Sequence, residues 1–239
     1  MMIEDCGMRI APSPLVGEGG GEGGQTRHAK SIWDLPAGRQ GFWYLEFECM
    51  SGMRSNLYIG LVHYPIYDKK KEVVATAITN FDIHDIARCA KTFGAGGFFI
   101  ITPLESQIRL TQRIIRHWVD GIGSIYNPTR KESLSLVRVS RSIDEADREI
   151  SDLWQTKVKR VATGASPHPK SIDFGFLKKL LKDESTPFFI LFGTGWGLAQ
   201  DVKDGSDYVL APIDGKGYNH LSVRSAVAII LDRLLGDRS

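Results

Sequence analysis

Leu191-Phe192-Gly193-Thr194-Gly195-Trp196-Gly197-Leu198 follows an apolar run, Thr186-Pro187-Phe188-Phe189-Ile190, late in the chain. The run is short and continuous, as expected of a strand buried on both faces of a parallel sheet. It then turns on three glycines, where main chain can approach a ligand without side chains in the way. A second stretch, Tyr218-Asn219-His220-Leu221-Ser222-Val223-Arg224-Ser225-Ala226, ends a turn-rich loop and opens an apolar-periodic helix. A short strand, Asp207 to Leu210, lies between them. Together the two stretches predict a small-molecule pocket built from main-chain groups at the C-terminal ends of strands.

Outward from there, strand and helix patterns alternate. Strands are expected at Leu57 to His63, Phe98 to Thr102, Leu134 to Val139, Val158 to Thr163, Phe188 to Phe192 and Tyr208 to Leu210. Glu72 to Ile78 is rich in β-branched residues but short. Helices are expected over Asp82 to Phe93 with Asp82 as N-cap, from Pro103 to about Gly121, and over Ser142 to Trp154, where Ser142 and Glu145 fit a capping box. Two more cover Ile172 to Lys182 and Asn219 to Leu235. Such alternation implies an α/β fold: a mostly parallel sheet with helices on both faces, forming one domain over residues 53–239.

The chain has 239 residues, 42% of them hydrophobic and 24% charged, as in ordinary globular proteins. No apolar run approaches the roughly 18 residues of a membrane span. Cys6, Cys49 and Cys89 form neither a metal-ligand pattern nor an even set, which points to a reducing, cytoplasmic setting and to no metal. Residues 1–52 have a net charge of −3 and residues 53–239 of +5. The basic part suits a polyanionic partner, though many enzymes share that balance.

Residues 17–24 hold six glycines in eight positions, too few side chains to bury apolar surface. Residues 1–52 are therefore expected to be a disordered or non-native extension. Met53, at the break in composition and charge, is a candidate true start; a genuine flexible extension is the alternative.

The late glycine and asparagine stretches, in this order in an α/β chain, resemble the SPOUT superfamily of S-adenosylmethionine-dependent RNA methyltransferases. The similarity is greatest to a small bacterial family related to tRNA guanine-N1 methyltransferase. It is carried jointly by Leu61-Val62-His63-Tyr64-Pro65, Thr79-Asn80-Phe81-Asp82-Ile83-His84-Asp85-Ile86-Ala87-Arg88, the Gly193–Leu198 loop and Asn219 to Leu235. The resemblance implies a C-terminal deep trefoil knot, a homodimer through the knot region, and RNA, with tRNA first, as substrate. It also implies S-adenosylmethionine bound among three loops. The cofactor residues it suggests are Leu191, Phe192, Gly193, Thr194, Gly195, Gly197 and Leu198, then Pro212 and Ile213, then Tyr218, Asn219, His220, Leu221 and Ser225.

Each of these residues has a plainer reading. The glycines would serve a tight turn as well as a ligand. The G-x-G-x-G spacing is not a dinucleotide fingerprint, since no suitable acidic residue follows. Trp196 could line the slot or fill core. Asn219 and Ser222 could simply cap a helix. Relatives in other branches carry a glutamate in the glycine loop; Thr194 and Trp196 stand here, so a role for that acid does not transfer. Asp82 and Arg88 match the spacing of an RNA-handling arginine six residues after an Asn or Asp, while Asp85 and Arg88 could form an ordinary i, i+3 ion pair. The His63-Tyr64 pair, Lys69 to Lys71, and Arg109, Arg113 and Arg116 are further candidates for base stacking or phosphate contact, or else mouth filling and solvated surface.

Methylation of guanine N1 or of a ribose hydroxyl requires removal of a proton. Arg88, Asp82 and Asp85 are the candidate catalytic residues. A knotted module that binds cofactor or RNA without chemistry remains an alternative, as does an unrelated nucleotide-binding α/β protein.

Overall fold

The computed structural model describes residues 55–236. The expectations for residues 1–52 and for a start at Met53 fall outside the described residues. The larger sheet has seven strands: β1 (Leu57–Val62), β4 (Gly97–Ile101), β5 (Val137–Ser140), β6 (Lys159–Ala162), β7 (Ser171–Ile172), β8 (Phe188–Gly193) and β9 (Tyr208–Leu210). Their order is β5-β4-β1-β8-β6-β9-β7, and every pairing is parallel. A two-stranded antiparallel ribbon, β2 (Ile66–Tyr67) with β3 (Val73–Val74), follows β1.

Strands β1, β4 and β8 are apolar on both faces because both faces are covered. On one face, helices α1 (Asn80–Thr92), α2 (Glu105–Val119), α4 (Pro128–Leu134), α6 (Phe174–Leu180) and α8 (Val223–Leu235) cover a core that includes Leu57, Ile59, Phe98, Ile190 and Phe192. On the other, α5 (Ile143–Trp154) and α7 (Gln200–Asp204) cover Tyr58, Phe99, Phe189 and Leu191. The expected sheet with helices on both faces is what forms.

Several boundaries differ from the expectation, each for a local reason. Helix α1 begins at Asn80 because Thr79 is its cap: the Thr79 hydroxyl accepts from the Asp82 N–H at 3.1 Å and donates to Asp82 Oδ2 at 2.6 Å. Asp82 thus sits at the third helical position, bonded to the cap rather than being the cap. Helix α8 begins at Val223, capped by Ser222, so Asn219 stays in the preceding loop. Ile172 pairs with Leu210 as an edge strand, and α6 starts only after Asp173, which accepts from the Phe176 N–H. Residues 122–134 hold two short helices, α3 (Ile122–Tyr126) and α4, that alternation alone did not suggest; Asn127 caps the second and Pro128 opens it. The Ser142 cap of α5 matches the sequence, with its hydroxyl accepting from the Glu145 N–H at 3.1 Å.

Ser142→Ala should cost about 1 kcal/mol, and Phe99→Ala, at a site 1% exposed, about 3–5 kcal/mol. Denaturant midpoints at constant m-value measure both.

Candidate functional site

Parallel pairing sends the C-terminal ends of β6, β8 and β9 out of the sheet at the same edge. A cavity of about 730 Å³ opens there, within the usual range for small-molecule pockets. Its walls come from the loop after β8 (Phe192 to Gly197), the loop after β6 (Thr163 to Ser166), the segment after β9 (Ala211, Ile213), the entry to α8 (Asn219 to Val223), and the segment before α1 (Thr76, Ala77, Thr79, Asp82).

The glycine turn is fixed by its own packing. A Cβ on Gly193 would lie 2.5 Å from the Leu198 nitrogen. Gly195 has φ +55° and a Cβ there would lie 2.9 Å from Ile66 Cδ1. Gly197 has φ +97°, with open space where a side chain would go. Main-chain bonds then sew the turn to the β2 ribbon: Trp196 N–H to Tyr67 O at 3.1 Å and Tyr67 N–H to Gly197 O at 2.9 Å. Leu198 and Leu191 are fully buried behind the turn and hold it from below. Trp196, 62% exposed, lies on the cavity wall instead of in the core.

A polar chain backs the turn. The Thr194 hydroxyl donates to Val62 O at 3.1 Å, so it accepts from Thr76 Oγ1 at 2.6 Å. The Thr76 hydroxyl has then spent its proton and must accept from His63 Nδ1 at 2.9 Å. This donor order makes His63 the Nδ1–H tautomer and leaves buried Nε2 a bare acceptor without a partner among the described residues. Burial pushes the His63 pKa down to about 4, so the ring is neutral. His63 therefore braces the turn from beneath and does not stack on a substrate.

Asp82, on the opposite wall, is held from behind by an ionic bridge. Arg224, on the first turn of α8, reaches Asp82 Oδ1 at 3.2 Å and Asp85 Oδ2 at 3.0 Å, and its guanidinium stands 5.6 Å from the Phe81 ring. The alternative Asp85–Arg88 ion pair is not formed: Asp85 turns to Arg224, and Arg88 is exposed and makes no ion pair among the described residues. Asp82 lines the cavity; Asp85 and Arg88 do not. Asp82 Oδ2 accepts from the Thr79 hydroxyl, and Oδ1 lies 3.2 Å from Arg224 Nε in an ion pair. That suits an orienting carboxylate better than a proton acceptor.

The structure brings nine of the expected cofactor residues to the cavity wall: Phe192, Gly193, Thr194, Gly195, Gly197, Ile213, Asn219, His220 and Leu221. Leu191, Leu198, Pro212, Tyr218 and Ser225 lie off it. Asn219 donates from Nδ2 to Ala165 O at 3.0 Å, stitching the loop before α8 to the loop after β6. Sequence reasoning missed Thr76, Thr79, the Thr163–Ser166 loop, Lys203 and Arg224. The rule that ligands collect beyond strand C-termini would have flagged Thr163, but only with β6 known to lie beside β8.

A family profile described as SAM-dependent RNA methyltransferase matches residues 56–236. The chain belongs to this family. The description of the family names S-adenosylmethionine as its cofactor and RNA as its substrate. A tRNA (guanine-N(1)-)-methyltransferase of Oleidesulfovibrio alaskensis is 47% identical over 185 residues, covering 76% of this chain and 42% of that protein. An uncharacterized protein of Aquifex aeolicus is 38% identical over 183 residues, covering 76% of this chain and 89% of that one. Among solved structures, a Bordetella pertussis protein described as a "probable methyltransferase" superposes with TM-score 0.52 at 15% identity, covering 75% and 94% of the two chains. That likeness speaks to the fold. This chain thus spans less than half the length of the guanine-N1 relative it matches.

The cavity fits S-adenosylmethionine. Ile213 and Val223 offer apolar surface for a purine, Thr163, Asn219 and Ser222 offer partners for ribose hydroxyls, and the Gly197 face is open. Among the described residues no cluster of His, Cys, Asp and Glu could hold a metal, and no helix is long and apolar enough to cross a membrane.

With a folded pKa of about 4 against 6.5, His63 favours the folded state above pH 6.5. That contribution, about 3 kcal/mol at full extent, is lost as pH falls from 6.5 through 4. His63→Gln should flatten this acid limb in urea titrations across that window. Gly195→Ala should cost about 1–2 kcal/mol from its left-handed φ. Gly193→Ala should cost more, since its Cβ meets main chain.

Proposed function

We propose that this cavity is the cofactor pocket of the methyltransferase, with the nucleoside seated against the Gly193–Gly197 turn, Ile213 and the entry to α8. The carrying observation is the convergence on one cavity of the three loops that the resemblance implies. When bound, S-adenosylmethionine supplies an electrophilic methyl group on a sulfonium. The protein's part is to hold the target atom in line behind that methyl and keep water away. Asp82 orients the inner wall through Thr79 and Arg224, and exposed Arg88 handles an RNA phosphate.

The first substrate to test is tRNA, with base methylation of the guanine-N1 type as the leading reaction; the Oleidesulfovibrio relative supports it through the region it shares with this chain. The reading extends to a C-terminal trefoil knot and to a homodimer through that region. Phe81, Tyr218 and Leu221 are exposed apolar surface around the mouth that a second copy would cover. It extends also to a cytoplasmic protein, where tRNA is found. The second reading is a module that binds cofactor or RNA without transfer, favoured by the engaged state of both Asp82 oxygens.

Calorimetry should show S-adenosylhomocysteine binding below millimolar concentration; no binding at that level overturns the pocket assignment. Labelled methyl transfer to total tRNA should follow, and binding without transfer to tRNA or rRNA selects the inactive module. Arg88→Ala should lower RNA affinity and reduce the salt slope by about 1 while sparing cofactor affinity. An equal loss of cofactor affinity refutes its assignment to phosphate.

A further inference from the structure

Lys203, on α7, is the sole lysine or arginine among the described residues lining the cavity. Its side chain is partly buried. The side chain makes no hydrogen bond or ion pair among the described residues, although its sequence neighbour Asp204 is engaged with His168. Its ammonium faces the loop after β6: a Cβ on Gly164 would stand 3.6 Å from Nζ. The carboxylate that acts on it, Asp204, has other partners. Asp204 Oδ1 accepts from Gln200 Nε2 at 3.1 Å and lies 3.2 Å from His168 Nε2.

A cation drawn into a cavity without a partner is costly unless a ligand brings an anion. Burial holds the Lys203 pKa below the usual lysine value, with Asp204 pulling it the other way. Asp82 is the sole carboxylate among the described lining residues. The two charges belong to helices on opposite faces of the sheet, α1 and α7. S-adenosylmethionine carries one anion, the carboxylate of its amino-acid tail, beside a cationic ammonium and sulfonium.

We propose that Lys203 is the carboxylate clamp of the cofactor pocket, pairing its ammonium with the amino-acid carboxylate of S-adenosylmethionine beside the Thr163–Ser166 loop. This rests on the cavity being the cofactor pocket. It assigns a polarity to the site: the tail lies toward α7, and the Asp82 side of the cavity is left to the methyl end and the RNA. A lysine suits this task because its flexible stem delivers a point charge.

The test is calorimetry on the full chain with two ligands that share a nucleoside and a thioether. S-adenosylhomocysteine keeps the amino-acid tail and 5′-methylthioadenosine lacks it. Lys203→Met should weaken S-adenosylhomocysteine about tenfold or more, in the range of a lost charge-assisted hydrogen bond, and leave 5′-methylthioadenosine unchanged. Lys203→Arg should restore most of the affinity. Equal weakening of both ligands, or no weakening of S-adenosylhomocysteine, overturns the clamp. So does a loss confined to RNA affinity and its salt slope, which would make Lys203 a phosphate contact. If the unmodified protein binds neither ligand, the pocket assignment itself fails and the clamp with it, a result separable from a variant-specific effect. Equal thermal midpoints for the unmodified protein and both variants guard against a folding artefact.

Discussion

The parallel pairing of β6 with β8 and with β9 is the constraint from which the site follows. Ala162 stands opposite Leu191 and Val209, so all three strands release their chains at one edge of the sheet. Parallel strands must be joined by crossovers, and the loops that leave this edge are free to meet above it. The cavity collects three of them, while the helices on both faces close its sides. Moving any one of these strands to the far side of β1 would scatter the glycine turn, the Thr163–Ser166 loop and the entry to α8.

The glycine turn shows how packing and binding share residues. Gly193 is demanded by the Leu198 main chain, and Gly195 by its φ and by Ile66. Neither needs a ligand to explain it. Gly197 also needs its positive φ, but its missing side chain would point into open space. Beneath, the His63–Thr76–Thr194 chain ends on Val62 O and ties the turn to β1. The turn is therefore shaped before a ligand arrives, and a preformed turn spares the ordering cost that binding would otherwise carry.

The sequence exposed the alternation of strands and helices and the two late loops, because apolar runs and glycine punctuation are local signals. Phe188 to Phe192 and Tyr208 to Leu210 announced themselves that way. Neighbours across the sheet did not. Thr163 looks ordinary until β6 is placed beside β8, and Arg224 looks like a helix surface residue until α1 is packed against α8. Helix starts went astray for a related reason: Asp82 and Asn219 are both fair caps in isolation, but Thr79 and Ser222 lie where the side-chain bonds form. Ile172 fits the helix pattern because a two-residue edge strand has no period to show.

The ionic bridge behind Asp82 separates the roles of two arginines, Arg224 on α8 and Arg88 on α1. Arg224 bridges Asp82 and Asp85 from α8, so it fastens the two helices that flank the cavity. Its half-exposed position limits what either pair adds to stability. The geometry still matters, because the bridge sets where Asp82 and the α1 entry stand relative to Ser222 and Val223. With Asp85 committed to Arg224, the i, i+3 partner of Arg88 is taken, and Arg88 is left pointing to solvent on the same helix. An arginine without an internal carboxylate presents its planar donors outward, where a phosphate can be met in two-point fashion. The structural bridge at Arg224 thus accounts for the availability of Arg88.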